Sequence, residues 1–206
     1  MDRKEVMEKI VGGSSLADED MSFIDLSGID FKGCDLSGAT LTGTNLKGAN
    51  LSGCNLTGAF MAEVNAEGAD FKGAILDDVF LQRGSIIGAD FKGASLLDAS
   101  IFMMKGEGAC FDDAQMTGAQ ILKALMPGSS FRNAVMKKSS FKGSDIQECD
   151  FSGCNLTDCD MRQVMAQGAT FEGAVTEGVL FYGKKPWGEA ADGRDWSKEL
   201  VCFNDD

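Results

Sequence analysis

The chain contains no histidine among its 206 residues, which removes the usual general base, the usual zinc ligand and every histidine-based nucleophilic triad. Proline is nearly absent as well, with 2 residues against 26 glycines. Glycine-rich sequence is often flexible linker, but these glycines recur at regular intervals between apolar residues, which argues for many tight turns in an ordered array. No apolar run approaches the roughly 20 residues of a membrane-spanning helix. The opening MDRKEVMEKIV lacks the apolar core of a secretion signal. The expectation is a cytoplasmic protein without membrane contact. Basic charge is scarce, 19 Lys and Arg against 32 Asp and Glu for a net −13. That balance argues against direct nucleic-acid binding, because phosphate backbones are held by clustered Lys and Arg. Seven cysteines, an odd number and mostly at core-like positions, fit a reducing compartment better than a disulfide framework.

What the chain does have is a five-residue step. From Met21 through Leu26, Phe31, Leu36, Leu41, Leu46 and Leu51 to Phe181, a large apolar residue recurs at nearly every fifth position without insertion or deletion. Neither a helix at 3.6 residues per turn nor a strand alternating at two favours that spacing. Two residues before each centre stands a second set, mostly small, as at Cys34, Ala39, Ala49, Cys54 and Ala59. In an extended segment both of these face inward and the residue between them, often Asp or Asn as at Asp30, Asn50 and Asn55, faces water. Two residues after the centre Gly recurs, as at Gly48 and Gly53, where a type II turn needs positive φ. Each unit is a short extended edge followed by a corner.

If each corner turns about 90°, four units close a coil, and a period of twenty lies beneath the five. Phe31, Phe71, Phe91, Phe111, Phe131, Phe151 and Phe171 all fall in one of the four resulting columns, interrupted only by Leu51. In another column the centre shrinks to Ala66, Gly106 and Ala166, and each time the inward residue two earlier grows, to Val64, Met104 and Val164. Interior volume is conserved locally.

These residues resemble the pentapeptide-repeat family, whose A(D/N)LXX units recur here as Ala49-Asn50-Leu51, Ala69-Asp70-Phe71 and Ala89-Asp90-Phe91. The resemblance implies an all-β solenoid, a right-handed quadrilateral β-helix of about eight 20-residue coils, and implies little about function. We expect residues 1–15 to form an N-terminal helical cap, with Val6, Met7, Ile10 and Val11 near one helical face. The repeat is assigned to 16–183. Residues 184–206 form a non-repeat C-terminal segment that caps the last coil or joins a second copy in a homodimer. Phe181, Tyr182, Trp187, Trp196, Leu200 and Phe203 are its expected contacts.

No enzymatic chemistry is expected. Acids are plentiful but lie mostly at outward positions on flat faces, where nothing raises a pKa or excludes water. The glycine motifs follow no strand-to-helix transition and no Gly-Lys-Ser/Thr occurs, so they are turns and not a phosphate cradle. Cys149, Cys154 and Cys159 take the small inward position on three successive edges of one coil. They are either a converging soft-metal site or, as the reading preferred here has it, small apolar core residues. No cofactor or metal is assigned.

Apolar residues at outward positions are the informative ones. Phe60, Phe80, Phe102 and Leu122, with Ile75 and Met103, form one candidate interaction patch in the middle of the rod, adjoined by Ile87, Leu97 and Leu125. Either these side chains are buried by local rearrangement, or they form a dimer or partner surface. The leading reading is a non-enzymatic protein–protein interaction scaffold. The alternative, drawn from quinolone-resistance members of the family, is a DNA mimic that binds DNA gyrase. Glu148, Asp150, Asp158, Asp160, Glu172 and Glu177 would be the mimicking acids, toward the end where the excess of acid lies.

Overall fold

A computed structural model of the chain describes residues 1–183 and 185–188. Its backbone is a stack of coils joined by parallel pairing between residues twenty apart, from Asp20↔Thr40 to Asp160↔Leu180. Most of these contacts are single bridges. On one edge they lengthen into four short strands, β1 (Phe60–Ala62), β2 (Phe80–Gln82), β3 (Ser100–Phe102) and β4 (Gln120–Leu122), which pair in that order as one parallel sheet.

Where the residue before the centre is Asp or Asn, it serves the corner that follows. Asp30 Oδ1 accepts the backbone N–H of Lys32 at 3.1 Å, Asn50 Oδ1 that of Ser52 at 3.0 Å and Asp90 Oδ1 that of Lys92 at 3.0 Å. This is the Asx turn, which only a short side-chain carbonyl can make. The same side chains link coils, Asn50 Nδ2 donating to Asp30 Oδ1 at 2.7 Å and Asn55 Nδ2 to Asp35 Oδ1 at 3.1 Å.

Inside, Phe71, Phe91, Phe111, Phe131, Phe151 and Phe171 form a continuous stack, ring centroids 4.5–5.0 Å apart and planes within 6° of parallel. Phe141 meets Phe131 and Phe151 edge-on from a neighbouring edge. Three inward polar residues share one recurring bond: Thr44, Ser129 and Ser144 hydroxyls donate to the carbonyls of Met21, Gly106 and Ile121, each one coil earlier, while Ser139 donates to Met136 O in its own coil.

The corner differs from expectation in one respect. Left-handed φ occurs there whether or not the residue is Gly, with Glu63, Arg83, Met103 and Lys123 at +52 to +56° beside β1–β4. An L-residue in that region costs about 1–2 kcal/mol, borne here by the pairing of coils on both sides. Two of these corners also redirect the turn N–H. Elsewhere it closes the corner, as Cys34 N–H donates to Phe31 O at 2.8 Å. At Gly84 it meets Met104 Sδ at 3.1 Å, and at Ala124 it goes to Ser144 Oγ at 3.0 Å.

The open end of a solenoid leaves backbone carbonyls unpaired. Helix α1 (Arg3–Val11) covers it, started by a capping box in which Asp2 and Glu5 exchange hydrogen bonds. The Met1 ammonium donates to Asp20 O at 2.9 Å, and the Arg3 guanidinium to Asp25 O at 2.7 Å and Ser27 O at 3.1 Å. The apolar face is narrower than the sequence implies: Val6 is buried and Ile10 partly so, whereas Met7 and Val11 are exposed.

Candidate interaction surface

The β1–β4 sheet shows two outward columns. The first runs Phe60, Phe80, Ser100, Gln120, and the second Ala62, Gln82, Phe102, Leu122. Centres between them, Met61, Leu81, Ile101 and Ile121, are fully buried, as period-two alternation requires. Phe60 and Phe80 are 49% and 40% exposed and stack on one another at 5.1 Å with planes 4° apart. Phe102 and Leu122 are half-buried. Apolar bulk therefore crosses the face diagonally, from the first column on the two N-terminal rungs to the second column on the two C-terminal rungs.

The six-residue patch does not lie on a single face. Met103 is exposed at the corner after β3, continuous with the sheet. Ile75 is exposed but bridges Asn55 and Ser95 on the preceding edge, separated from the sheet by the Asp77-Asp78 corner. Leu97 shares that preceding edge, while Ile87 and Leu125 lie on the edge after the sheet. Phe23, 75% exposed, is an outward aromatic that the sequence pattern hides, because it sits at a corner position, outside the inward and outward positions of the edges; its ring lies over Gly43, where a Cβ would meet it at 2.5 Å.

The six acids do not form a column. Glu148 and Asp158 occupy different corners, Asp150 and Glu172 one edge, and Asp160 and Glu177 two others. Glu148, Asp158, Glu172 and Glu177 are exposed. Asp160 is paired with Arg162 at 2.7 Å, and its hydrogen bonds from that side chain hold the carboxyl below the usual range despite partial burial. Asp150 accepts from Ser152 N–H and Thr170 Oγ. Along the phenylalanine column the lysines pair mostly between coils, Lys72 with Asp90 at 2.9 Å and Lys92 with Asp113 at 3.6 Å.

The three thiols of one coil do not converge. Cys149 Sγ donates to Met126 O at 3.0 Å and Cys154 Sγ to Phe131 O at 2.7 Å, while Cys159 Sγ lies 3.3 Å from Ser139 Oγ. They take the place of the inward hydroxyls, and burial pushes each thiol up to about 12. Among the described residues no group of three Cys, Asp or Glu side chains is placed to hold a metal ion, and no helix is long and apolar enough to cross a membrane.

At the other end, Trp187 packs edge-on against Phe171 at 5.1 Å and Phe181 at 5.2 Å, closing the aromatic stack, and Tyr182 is half exposed. Trp196, Leu200 and Phe203 lie outside the described residues.

Two family profiles described as pentapeptide repeats match the chain, one over residues 20–58 and 44–83 and the other over residues 84–165 and 137–183. No curated protein matches it. Among solved structures, HetL, a pentapeptide repeat protein involved in heterocyst differentiation regulation in the cyanobacterium Nostoc, is 19% identical over 88% of this chain and 97% of its own, with a TM-score of 0.38. A pentapeptide repeat protein of the Arabidopsis thaliana thylakoid lumen is 32% identical over 48% of this chain and 66% of its own, TM-score 0.39. Full-length QnrB1, a plasmid-mediated fluoroquinolone resistance protein, is 20% identical over 76% of this chain and 92% of its own, TM-score 0.31. These scores are too low for the likeness to bear on what this chain does.

Proposed function

This chain belongs to the pentapeptide-repeat family, and from that premise we propose that it is a non-enzymatic protein–protein interaction scaffold whose contact surface is the β1–β4 face. The observation that carries the reading is the apolar diagonal from Phe60 and Phe80 to Phe102 and Leu122, with Met103 beside it. Aromatic residues kept partly in water on a flat, rigid face are what a binding surface needs. We take the coil to be right-handed with about eight turns, as the family resemblance implies, residues 1–15 as its cap and 184–206 as a separate terminal segment. Phe80→Ser and Phe102→Ser test the reading. Both point outward, so association should be lost in pull-down or sedimentation while the thermal midpoint stays near that of the unmodified chain. Association that survives both changes removes the face from consideration.

A second reading rests on charge. A rod carrying −13 with Glu148, Asp158, Glu172 and Glu177 exposed suits a basic channel, which makes a DNA mimic that binds DNA gyrase the alternative. A supercoiling titration with and without a quinolone separates the two readings: inhibition or protection supports mimicry, and no effect at micromolar protein leaves the scaffold.

A further inference from the structure

The geometry points to a second copy of this chain as the occupant of the β1–β4 face, related by a two-fold axis that runs parallel to the solenoid. The inference rests on the reading of that face as a contact surface, and adds to it a partner and a docking geometry.

The two outward columns are complementary to each other. Where the first column is large, at Phe60 and Phe80, the second holds Ala62 and Gln82; where the second is large, at Phe102 and Leu122, the first holds Ser100 and Gln120. A two-fold axis along the solenoid lays the first column of one copy on the second column of the other, rung against rung. Phe60 then meets Ala62 of the partner subunit, and Phe102 meets Ser100 of the partner subunit. This is the self-complementary patch that an isologous contact requires.

A two-fold axis along the strands would also place large against small, so shape alone does not choose the direction. Charge does. Asp78 stands at the corner before β2 and Arg83 at the corner after it, both exposed and both with left-handed φ, at +57° and +56°. Some opposite charges on the rod pair within the chain, as Lys47 does with Glu67, Lys72 with Asp90 and Arg132 with Asp112, whereas the corner charges beside the sheet, Glu63, Asp98 and Lys123 among them, are in no ion pair among the described residues. Among the described residues neither Asp78 nor Arg83 makes an ion pair. The axis along the solenoid sets Asp78 of each copy across from Arg83 of the other, giving two opposite-charge pairs at the rim and no directly facing like charges. The axis along the strands sets Asp78 against Asp98 of the partner subunit, twice, which cancels the benefit of its Glu63–Lys123 pairs. Rim charges of this kind fix register.

Four rungs at about 4.8 Å span about 19 Å, and three residues of width keep the buried area well under the roughly 800 Å² per copy of a standard interface. The contact is thus a small, concentration-dependent one and not an obligate dimer.

Sedimentation velocity on the full-length chain from about 1 μM to about 1 mM tests this, with Asp78→Arg, Arg83→Asp and the double exchange. All three substitutions are on exposed corners, and unchanged thermal midpoints confirm intact folding. Each single change should weaken the dimer about tenfold or more, and the double exchange should restore it. A chain that stays monomeric throughout overturns the proposal, as does a dimer indifferent to all three variants, whose interface must lie elsewhere. Phe80→Ser tells apart the two levels of the claim. If the chain is monomeric but loses a heterologous partner on that change, the pairing is refuted and the scaffold stands; if it binds nothing through that face, both fail.

Discussion

Arg132 grips Asp112 across one rung of the solenoid. Its Nε and Nη2 donate to Asp112 Oδ2 at 3.0 and 2.5 Å, and its backbone N–H donates to Oδ1 at 3.0 Å. Ser130 Oγ donates to the same Oδ1. Asp112 is only 5% exposed. Burial alone would push it up, but the hydrogen bonds from Arg132 and Ser130 outweigh that and hold it below the ordinary Asp value.

A carboxyl whose folded value is depressed contributes stability above its unfolded value and loses it as pH falls through the folded one. Asp112→Asn should therefore lower the urea midpoint at pH 7, with a cost of about 1–3 kcal/mol from the ill-matched amide facing Arg132. It should also shrink the difference in midpoint between pH 7 and pH 3. An unchanged acid slope would mean that other carboxylates, such as Asp160 beside Arg162, account for the acid sensitivity.

Phe111→Ser should be among the most damaging single changes. Its ring stacks on Phe91 at 4.7 Å and Phe131 at 5.0 Å, and its removal leaves a void closed on both sides by rigid coils. Phe-to-small changes in a core cost about 3–5 kcal/mol, and a hydroxyl set in an apolar column adds a desolvation cost. Chemical denaturation should show the loss as a shifted midpoint; a shift below about 1 kcal/mol would mean that the stack relaxes far more readily than its spacing implies.

Gly84 has ordinary φ and owes its identity to space. A Cβ there would meet Val64 O at 2.3 Å and Val64 N at 2.9 Å. Gly84→Ala should thus cost about 1–3 kcal/mol as an overpacked site, measured by thermal or urea melting. Met104→Leu should be separable from it, because it deletes the sulfur that receives the Gly84 N–H without adding atoms to the contact.

The buried thiols should be silent. Cys54, Cys149, Cys154 and Cys159 are all buried, and burial raises each to about 12, so almost no thiolate exists at pH 8. A disulfide-exchange reagent at that pH should leave these four unmodified until the chain unfolds, then titrate them. Rapid modification of Cys149 in the native state, followed by peptide mass spectrometry, would contradict the packing described.

The coil and its columns were legible because each centre repeats the same environment, so Leu36, Leu56, Leu76 and Leu96 announce one another. Arg3 could not be read that way. Its role depends on which carbonyls the first coil leaves open, and that follows from backbone pairing direction. Ile75 misled for a related reason: it is close to Phe80 in the chain, but a corner turns it onto another edge. Met7 and Val11 misled because helical periodicity marks a face as apolar without saying how wide the covered end is. Asp112 carried no signal, since it breaks the phenylalanine column's alternation of Asp before the centre and Lys after it. Only the geometry of the next coil reveals its partner.

Because every coil rests on residues twenty away, the fold tolerates length changes in one size only. Loss or gain of twenty residues would leave each later side chain on its own edge. Loss of five after Phe91 would turn all that follows back by one edge, moving Phe111 out of the aromatic stack and into the column of Ile86 and Gly106. The chain can grow or shrink by whole storeys, and natural variation in its length should come in those steps.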